Sequence, residues 1–257
     1  MKETLNTYSK ENKAKDLNIR PEYSGFALLK HTLKNASLNL NEDIYEKLKQ
    51  FNDLLYDANQ RTDLTNVPQE ESPIRHYADS LLILKSKELF KPGFSVIDVG
   101  TGAGFPGMPL AIARQDINFL LLDALKKRCD FLEFAVKELG LKNVRVLHSR
   151  VEDAAHGELR EKFDLSLSRA VASMNVLLEY MLPFVRVDGA ALCWKGPSLY
   201  QELETAKKAV EILGGSFYKT IELPIENRTH LVQVVNKTKN TPDKYPRRAG
   251  IPNKRPL

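Results

Sequence analysis

The sequence predicts an α/β protein with a largely parallel sheet, preceded by a helical segment, and three observations lead there. From Phe94 onward, short apolar runs of strand character alternate with helical segments, the pattern of βαβ units. The first run ends in a glycine-rich loop that opens a helix, as in α/β sheets that hold ligands at the carboxyl ends of their strands. Ahead of Phe94 the apolar positions recur at helical spacing instead.

At 257 residues the chain is long for one small domain and short for two, so one core with extensions is expected. Residues 1–20 are polar and lysine-rich, the composition of a flexible extension. Residues 21–90 form a helical segment packed on the core. In it Phe26, Leu28, Leu29 and Leu33 mark one amphipathic helix, and Ile44, Leu48, Phe51, Leu54 and Leu55 a second, with a break around Asn35–Asn41. Asn41 can cap the second helix, whose first turn holds Glu42 and Asp43. Pro73 then starts another helical stretch through Tyr77, Leu81 and Leu84.

The core, residues 91–237, carries seven predicted strands: Ser95–Val99, Asn118–Asp123, Val144–His148, Phe163–Ser168, Gly189–Trp194, Ser216–Leu223 and Leu231–Val235. Helices fall between them at Pro106–Arg114, Lys126–Leu139, Met174–Val185 and Leu199–Leu213. The last two strands are joined only by Pro224–Thr229, so they form an antiparallel hairpin at the sheet edge. Residues 238–257 are a basic tail whose four prolines exclude a helix and predict an extended segment.

With 42% apolar and 28% charged residues the chain is globular rather than disordered. No apolar run approaches the roughly 20 residues that span a bilayer, and the N-terminus lacks a signal core, so a cytoplasmic setting without a membrane partner is expected. Cys129 and Cys193 are too few for a disulfide scaffold or a four-cysteine zinc site, and no metal centre and no oligomer beyond a monomer are expected. The net charge of +5 is concentrated in residues 237–257, where seven Lys and Arg face Asp243 alone. Such an arm suits a polyanionic partner, and equally a solubilising tail. Lys244, Arg247, Arg248, Lys254 and Arg255 are its candidate phosphate contacts, and Tyr245 can stack on a base.

The loop reads Asp98-Val-Gly100-Thr-Gly102-Ala-Gly104-Phe105-Pro106-Gly107. Its glycines let backbone approach a ligand closely, and the Gly102–Gly107 stretch formally satisfies the GxGxxG dinucleotide pattern. Asp123, at the end of the second strand, suits a ribose hydroxyl of either a dinucleotide or a simpler adenosine ligand. The proline inside the loop, Asp98 before the first glycine and the acid pair Glu152-Asp153 after the third strand favour an adenosine ligand without pyrophosphate, namely S-adenosylmethionine. Glu152 and Asp153 are also suited to cap the helix that follows. An NAD(P)-dependent oxidoreductase would need a nicotinamide site and a substrate base, and neither is found. A non-catalytic RNA-binding module on the same fold is the other alternative.

Arg75-His76-Tyr-Ala-Asp79-Ser80, the glycine loop, Leu121-Leu-Asp123, Lys127-Arg128, Ser149-Arg-Val151-Glu152, Ser168-Arg169-Ala170 and Lys195-Gly196 occur in one order. Together they resemble the ribosomal RNA small subunit methyltransferase G family, also called glucose-inhibited division protein B, over roughly Asn52 to Leu257. One position departs: Asp63 stands where that family commonly has asparagine. The resemblance implies a class I S-adenosylmethionine methyltransferase fold, S-adenosyl-L-methionine as cofactor, and methylation of a guanine N7 in 16S ribosomal RNA of the small ribosomal subunit. It implies that Gly100 and Phe105 line the methionine and adenosine part of the cofactor. Val151 and Glu152 would lie at the adenine, Asp123 at the ribose, and Arg169 near the reaction centre. Asp98, Gly102 and Gly104 complete the candidate cofactor loop.

Guanine N7 carries a lone pair and no proton, so it can attack a sulfonium methyl without a general base, and the enzyme's task is alignment. A site without a catalytic His–Asp pair is therefore expected. After the fourth strand an exocyclic-amine methyltransferase would resemble Asp/Asn-Pro-Pro-aromatic, whereas this chain has Ser168-Arg169-Ala170. Cys193 lies within a predicted strand, where it reads as a buried hydrophobe rather than a nucleophile. Arg169 and Lys195 are the candidate catalytic residues: Arg169 can reach over the cofactor mouth and Lys195 can hold an incoming phosphate. Arg75 and His76 precede the core and are expected to close over the site against RNA.

Overall fold

The structure is a computed structural model that describes residues 25–169, 172–225 and 229–257. The expected flexible extension at residues 1–20 lies outside the described residues, as do Ala170 and part of the Pro224–Thr229 connection. Helices α1 (Phe26–Asn35) and α2 (Glu42–Asn59) open the chain. Asn41 sits extended at the head of α2, but its side chain makes no capping bond. The Pro73 stretch is a π-helical turn (Pro73–Ala78) that continues through Asp79–Leu81 into a 3-10 turn, Leu82–Lys85.

Seven strands follow: β1 (Ser95–Val99), β2 (Asn118–Asp123), β3 (Val144–His148), β4 (Phe163–Arg169), β5 (Val185–Lys195), β6 (Gly215–Leu223) and β7 (His230–Lys237). They form one sheet in the order β3-β2-β1-β4-β5-β7-β6. Neighbours among β1 to β5 are parallel, and β7 runs antiparallel to both β5 and β6. The helices between them are α3 (Gly107–Ala113), α4 (Lys126–Glu138), α5 (Val151–Ala154), α6 (Met174–Met181) and α7 (Leu199–Ile212). The predicted Met174–Val185 helix stops early, because Pro183 sits in a 3-10 turn (Leu182–Phe184) and Val185 already begins β5.

Alternate strand residues serve two cores. Val96, Phe119, Leu121 and Leu167 pack with α1 to α4, and Ile97, Val99, Leu120 and Leu122 pack with α6 and α7 on the other face. Burial on both faces is why these strands read as continuous apolar runs. The strand order turns in opposite directions from β1, to β2 on one side and β4 on the other. That switch opens a crevice at their carboxyl ends, between the glycine loop after β1 and Arg169 at the end of β4.

The tail corrects two expectations. Tyr245 is buried in the core beside α6 and α7 rather than extended into solvent. Ile251–Lys254 forms a short helix, α8, with Pro252 in its first turn, where a missing N–H costs nothing. Among the described residues no helix is long and apolar enough to cross a membrane.

Candidate active site

The glycine loop is held from below by Asp98, which is fully buried. Its Oδ2 accepts hydrogen bonds from Thr101 Oγ1 at 2.7 Å and Gly107 N–H at 2.8 Å, while Oδ1 is buried without a partner among the described residues. Burial pushes this carboxyl up to about 6, against the pull of its two donors. Asp98 therefore braces the loop and does not line the cavity above it, which corrects the expected direct contact. The bond to Gly107 also favours the simpler adenosine ligand over a dinucleotide. A pyrophosphate binds the free N–H groups at a helix N-terminus, and here a carboxylate already occupies the first amide of α3.

Two glycines of the loop differ in role. At Gly102, with φ +62°, nothing lies within 4 Å of where a Cβ would stand, so the backbone is open to a ligand. At Gly104, with φ +100°, a Cβ would meet Met108 Cγ at 2.7 Å and Leu132 Cδ2 at 2.8 Å, so this glycine serves packing and lies outside the cavity lining. Asp123, at the end of β2, accepts from Gly102 N–H on Oδ2 and from Leu125 N–H on Oδ1, both at 2.9 Å. Arg128 Nη1 also lies 3.5 Å from Oδ2, so Oδ1, with one donor, keeps a lone pair for a further one.

Gly100, Gly102, Phe105, Asp123, Val151 and Arg169 come together around a cavity of about 510 Å³, joined by Thr65, His76 and Leu125. An acid at the strand end, an open glycine and the apolar Leu125 and Val151 walls fit an adenosine ligand. Glu152 does not line it; its Oε1 is 3.4 Å from Gly250 N–H, on the side of the tail. Beside this cavity lies a more open cleft of about 980 Å³, lined by Arg75, Asp79, Trp194, Lys195, Glu202 and His230 among others. Arg169 and His76 line both.

Arg169 is fixed at this junction. One Nη donates to Asp79 Oδ2 at 2.8 Å and to the Arg75 carbonyl at 3.1 Å, and the other reaches His76 Nδ1 at 3.1 Å. Its guanidinium lies 5.2 Å from the centroid of the Phe105 ring, on whose stacked neighbour, His76, the centroid distance is 4.2 Å. Because arginine only donates, His76 accepts at Nδ1, and Nε2–H faces Thr65 Oγ1 at 2.9 Å. Burial, with the Arg169 and Arg75 charges, lowers His76 to about 3. It is a neutral wall between the cavities, not a proton carrier.

Sequence reasoning missed Asp79 as the partner of Arg169, and missed His230 altogether. Asp79 Oδ1 is 2.7 Å from His230 Nδ1, so the cleft contains a His–Asp pair that the sequence did not announce. Burial raises the Asp79 carboxyl, and the His230 bond and Arg169 charge outweigh it to leave it below its usual value. The predicted hairpin held the signal: an antiparallel β7 must begin at the carboxyl edge of the parallel strands, where Leu231 pairs with Lys195.

Lys195 is also corrected. Its Nζ donates to the Ala172 carbonyl and to Glu202, each at 2.6 Å, and its side chain is 7% exposed, so it stiffens the cleft wall rather than waiting for phosphate. Arg75 lines the cleft and pairs with Glu71 at 2.9 Å. In the tail Arg247 forks onto the fully buried Glu179, and the buried Tyr245 ring is closed to a base; Lys244, Arg248, Lys254 and Arg255 remain exposed. Asp63, the departing position, is exposed as well. Burial pushes the Cys193 thiol up to about 12, which excludes a thiolate nucleophile there.

A family model described as rRNA small subunit methyltransferase G matches residues 44–232. The chain belongs to this family. It is 44% identical over 236 residues to the ribosomal RNA small subunit methyltransferase G of Clostridium perfringens (strain 13 / Type A), covering 90% of this chain and 98% of that one. To the protein of the same name from Alkaliphilus oremlandii it is 45% identical over 237 residues, covering 89% and 99%. Among solved structures, a SAM dependent methyltransferase from Aquifex aeolicus matches with a TM-score of 0.50 and 20% identity, over 70% of this chain and 97% of that one. The [4+2]-cyclase SpnF matches with a TM-score of 0.51 and 11% identity, over 76% and 96%. The fold is thus the class I, Rossmann-like fold of S-adenosylmethionine-dependent methyltransferases. The likeness to a cyclase is a reminder that such a fold leaves the chemistry to the site.

Proposed function

We propose that this protein methylates a guanine N7 in 16S ribosomal RNA of the small ribosomal subunit, with S-adenosyl-L-methionine as the donor. The family supplies the substrate class, since the relatives are named ribosomal RNA small subunit methyltransferase G. The observation that carries the N7 reading is the junction between cavity and cleft. The groups lining both are Arg169, already bonded to Asp79, and His76, held neutral with both ring nitrogens bonded. At this junction neither Arg169 nor His76 can take a proton from an amine or hydroxyl nucleophile, whereas guanine N7 has none to lose.

S-adenosylmethionine held in the 510 Å³ cavity would supply a sulfonium methyl group for the N7 lone pair and leave as S-adenosylhomocysteine. Gly100 and Gly102 allow close approach of the loop, Asp123 takes the ribose, and Phe105 and Val151 pack on the rest. Arg169 fixes the alignment of the two ligands. Asp79 balances its charge, so that neither the sulfonium nor the methylated, cationic base faces an uncompensated guanidinium. The exposed tail cations hold RNA phosphates. The target guanine must be unstacked, because side chains cannot enter the narrow A-form major groove.

The test is methyl transfer from labelled S-adenosylmethionine to small subunit particles that lack the modification, followed by digestion to nucleosides. Label in 7-methylguanosine is expected. Label in a ribose-methylated or amine-methylated nucleoside, or none from any particle form, contradicts the assignment.

A further inference from the structure

A base-free transfer needs no proton acceptor, yet the His230–Asp79 pair lines the cleft beside the cofactor cavity. Nδ1 faces a carboxylate that can only accept, so Nδ1 carries a proton, and in the singly protonated ring the acceptor is Nε2. Among the described residues nothing bonds Nε2, and the side chain is 25% exposed. The neighbouring cations are already bonded: Lys195 to Glu202 and the Ala172 carbonyl, Arg169 to Asp79. Asp79 is fixed in turn from two sides, by Arg169 and through its carbonyl by Trp194 Nε1 at 2.9 Å, so the imidazole has a rigid support.

We propose that His230, oriented by Asp79, accepts a hydrogen bond from the N1–H of the target guanine and thereby selects guanine and stabilises its methylation. The inference rests on the guanine N7 reading above. As N7 gains the methyl group, the ring takes over the positive charge that the sulfonium loses, and N1–H becomes a stronger donor while its proton stays in place. The contact thus tightens toward the transition state, the condition for raising kcat rather than only binding. Adenine presents an acceptor at N1, which would oppose Nε2 and leave it unpaired.

Small subunit particles carrying guanosine, inosine or 2-aminopurine ribonucleoside at the target position separate the possibilities, because inosine keeps N7, O6 and N1–H and loses only the 2-amino group, while 2-aminopurine keeps N7 and the 2-amino group but lacks O6 and has an acceptor at N1. With the wild type, inosine is expected to react nearly as fast as guanosine and 2-aminopurine about 100-fold more slowly. His230→Ala and the shape-preserving His230→Phe are expected to lower kcat/KM for guanosine by about 10- to 100-fold and to lose most of the discrimination against 2-aminopurine. His230→Gln, which restores an acceptor, recovers part of both, and an unchanged cofactor Kd reports an intact fold. Retained discrimination, or an unchanged guanosine rate, in a variant that still binds cofactor overturns the proposal alone. Wild-type label at an atom other than N7 overturns the N7 reading and this proposal with it.

Discussion

Arg169 joins the largest number of contacts at the junction, and its removal acts twice. Arg169→Ala frees the Phe105 face and leaves the buried Asp79 carboxylate, among the described residues, with His230 as its remaining side-chain partner. An activity loss of about 100-fold or more in kcat/KM is expected, together with a fall in stability of roughly 3 kcal/mol from the under-compensated carboxylate. Arg169→Lys restores the charge but not the fork that meets Asp79 and His76 at once, so it is expected to recover stability more than activity. Thermal melts and steady-state kinetics on the same samples separate the two.

His76 and Asp98 make opposite contributions to acid stability. The unfolded His76 binds a proton below 6.5 and the folded one only near 3, so stability falls as the pH drops through that window. Asp98 is raised from 3.8 to about 6, so the cost of burying its charge, fully present above 6, is relieved as the pH falls toward 3.8. Melting temperatures between pH 4 and 7 are expected to fall less steeply in His76→Gln than in the wild type; parallel curves would show that His76 protonates freely in the fold.

At the scale of the element, the glycine loop predicts a contrast between two neighbouring substitutions. Gly104→Ala drives a methyl into Met108 and Leu132 at a positive φ and is expected to destabilise the apoprotein by about 2 kcal/mol or more. Gly102→Ala meets open space and costs roughly 1 kcal/mol of backbone strain, but it intrudes on the ligand's side, so cofactor affinity falls more than stability. Apoprotein melts and calorimetric titration with S-adenosylmethionine check the pair.

The loop was legible because its parts lie at the carboxyl ends of strands, which a parallel sheet brings together whatever their separation in sequence. Gly102, Asp123, Val151 and Arg169 follow that rule. Asp79 and Thr65 do not, since they reach the site only through the packing of the N-terminal segment on one sheet face. Lys195 was correctly placed at the edge, but its bonds depend on Glu202 one helix later, which no local pattern announces.

At the scale of the whole molecule, the basic tail proves to be partly structural. Lys237 is buried against the Leu182 and Val185 carbonyls and Glu161, and Arg160 binds the Thr241 and Tyr245 carbonyls, so the segment is clasped to the body before any RNA arrives. Burial lowers the Lys237 ammonium, against the opposing pull of Glu161. Arg247→Ala strands Glu179 in the core and is expected to cost about 3 kcal/mol of stability. Charge removal at the exposed Arg248 and Arg255 is expected instead to leave the melt unchanged and to flatten the salt dependence of RNA binding by about 0.7 per lost phosphate contact. Composition showed where the charge lies, and only the fold shows which of it is free.

In the proposed reaction a methyl group passes at Arg169 from the 510 Å³ cavity to a guanine in the adjoining cleft. Single-turnover transfer from labelled S-adenosylmethionine to unmodified small subunit particles, with wild type and Arg169→Ala both at saturation and the labelled atom located, tests it most directly. Near-stoichiometric label at one guanine N7, at a rate about 100-fold lower in the variant, is the predicted result. Label at any other atom, or equal rates for the two proteins, would contradict it.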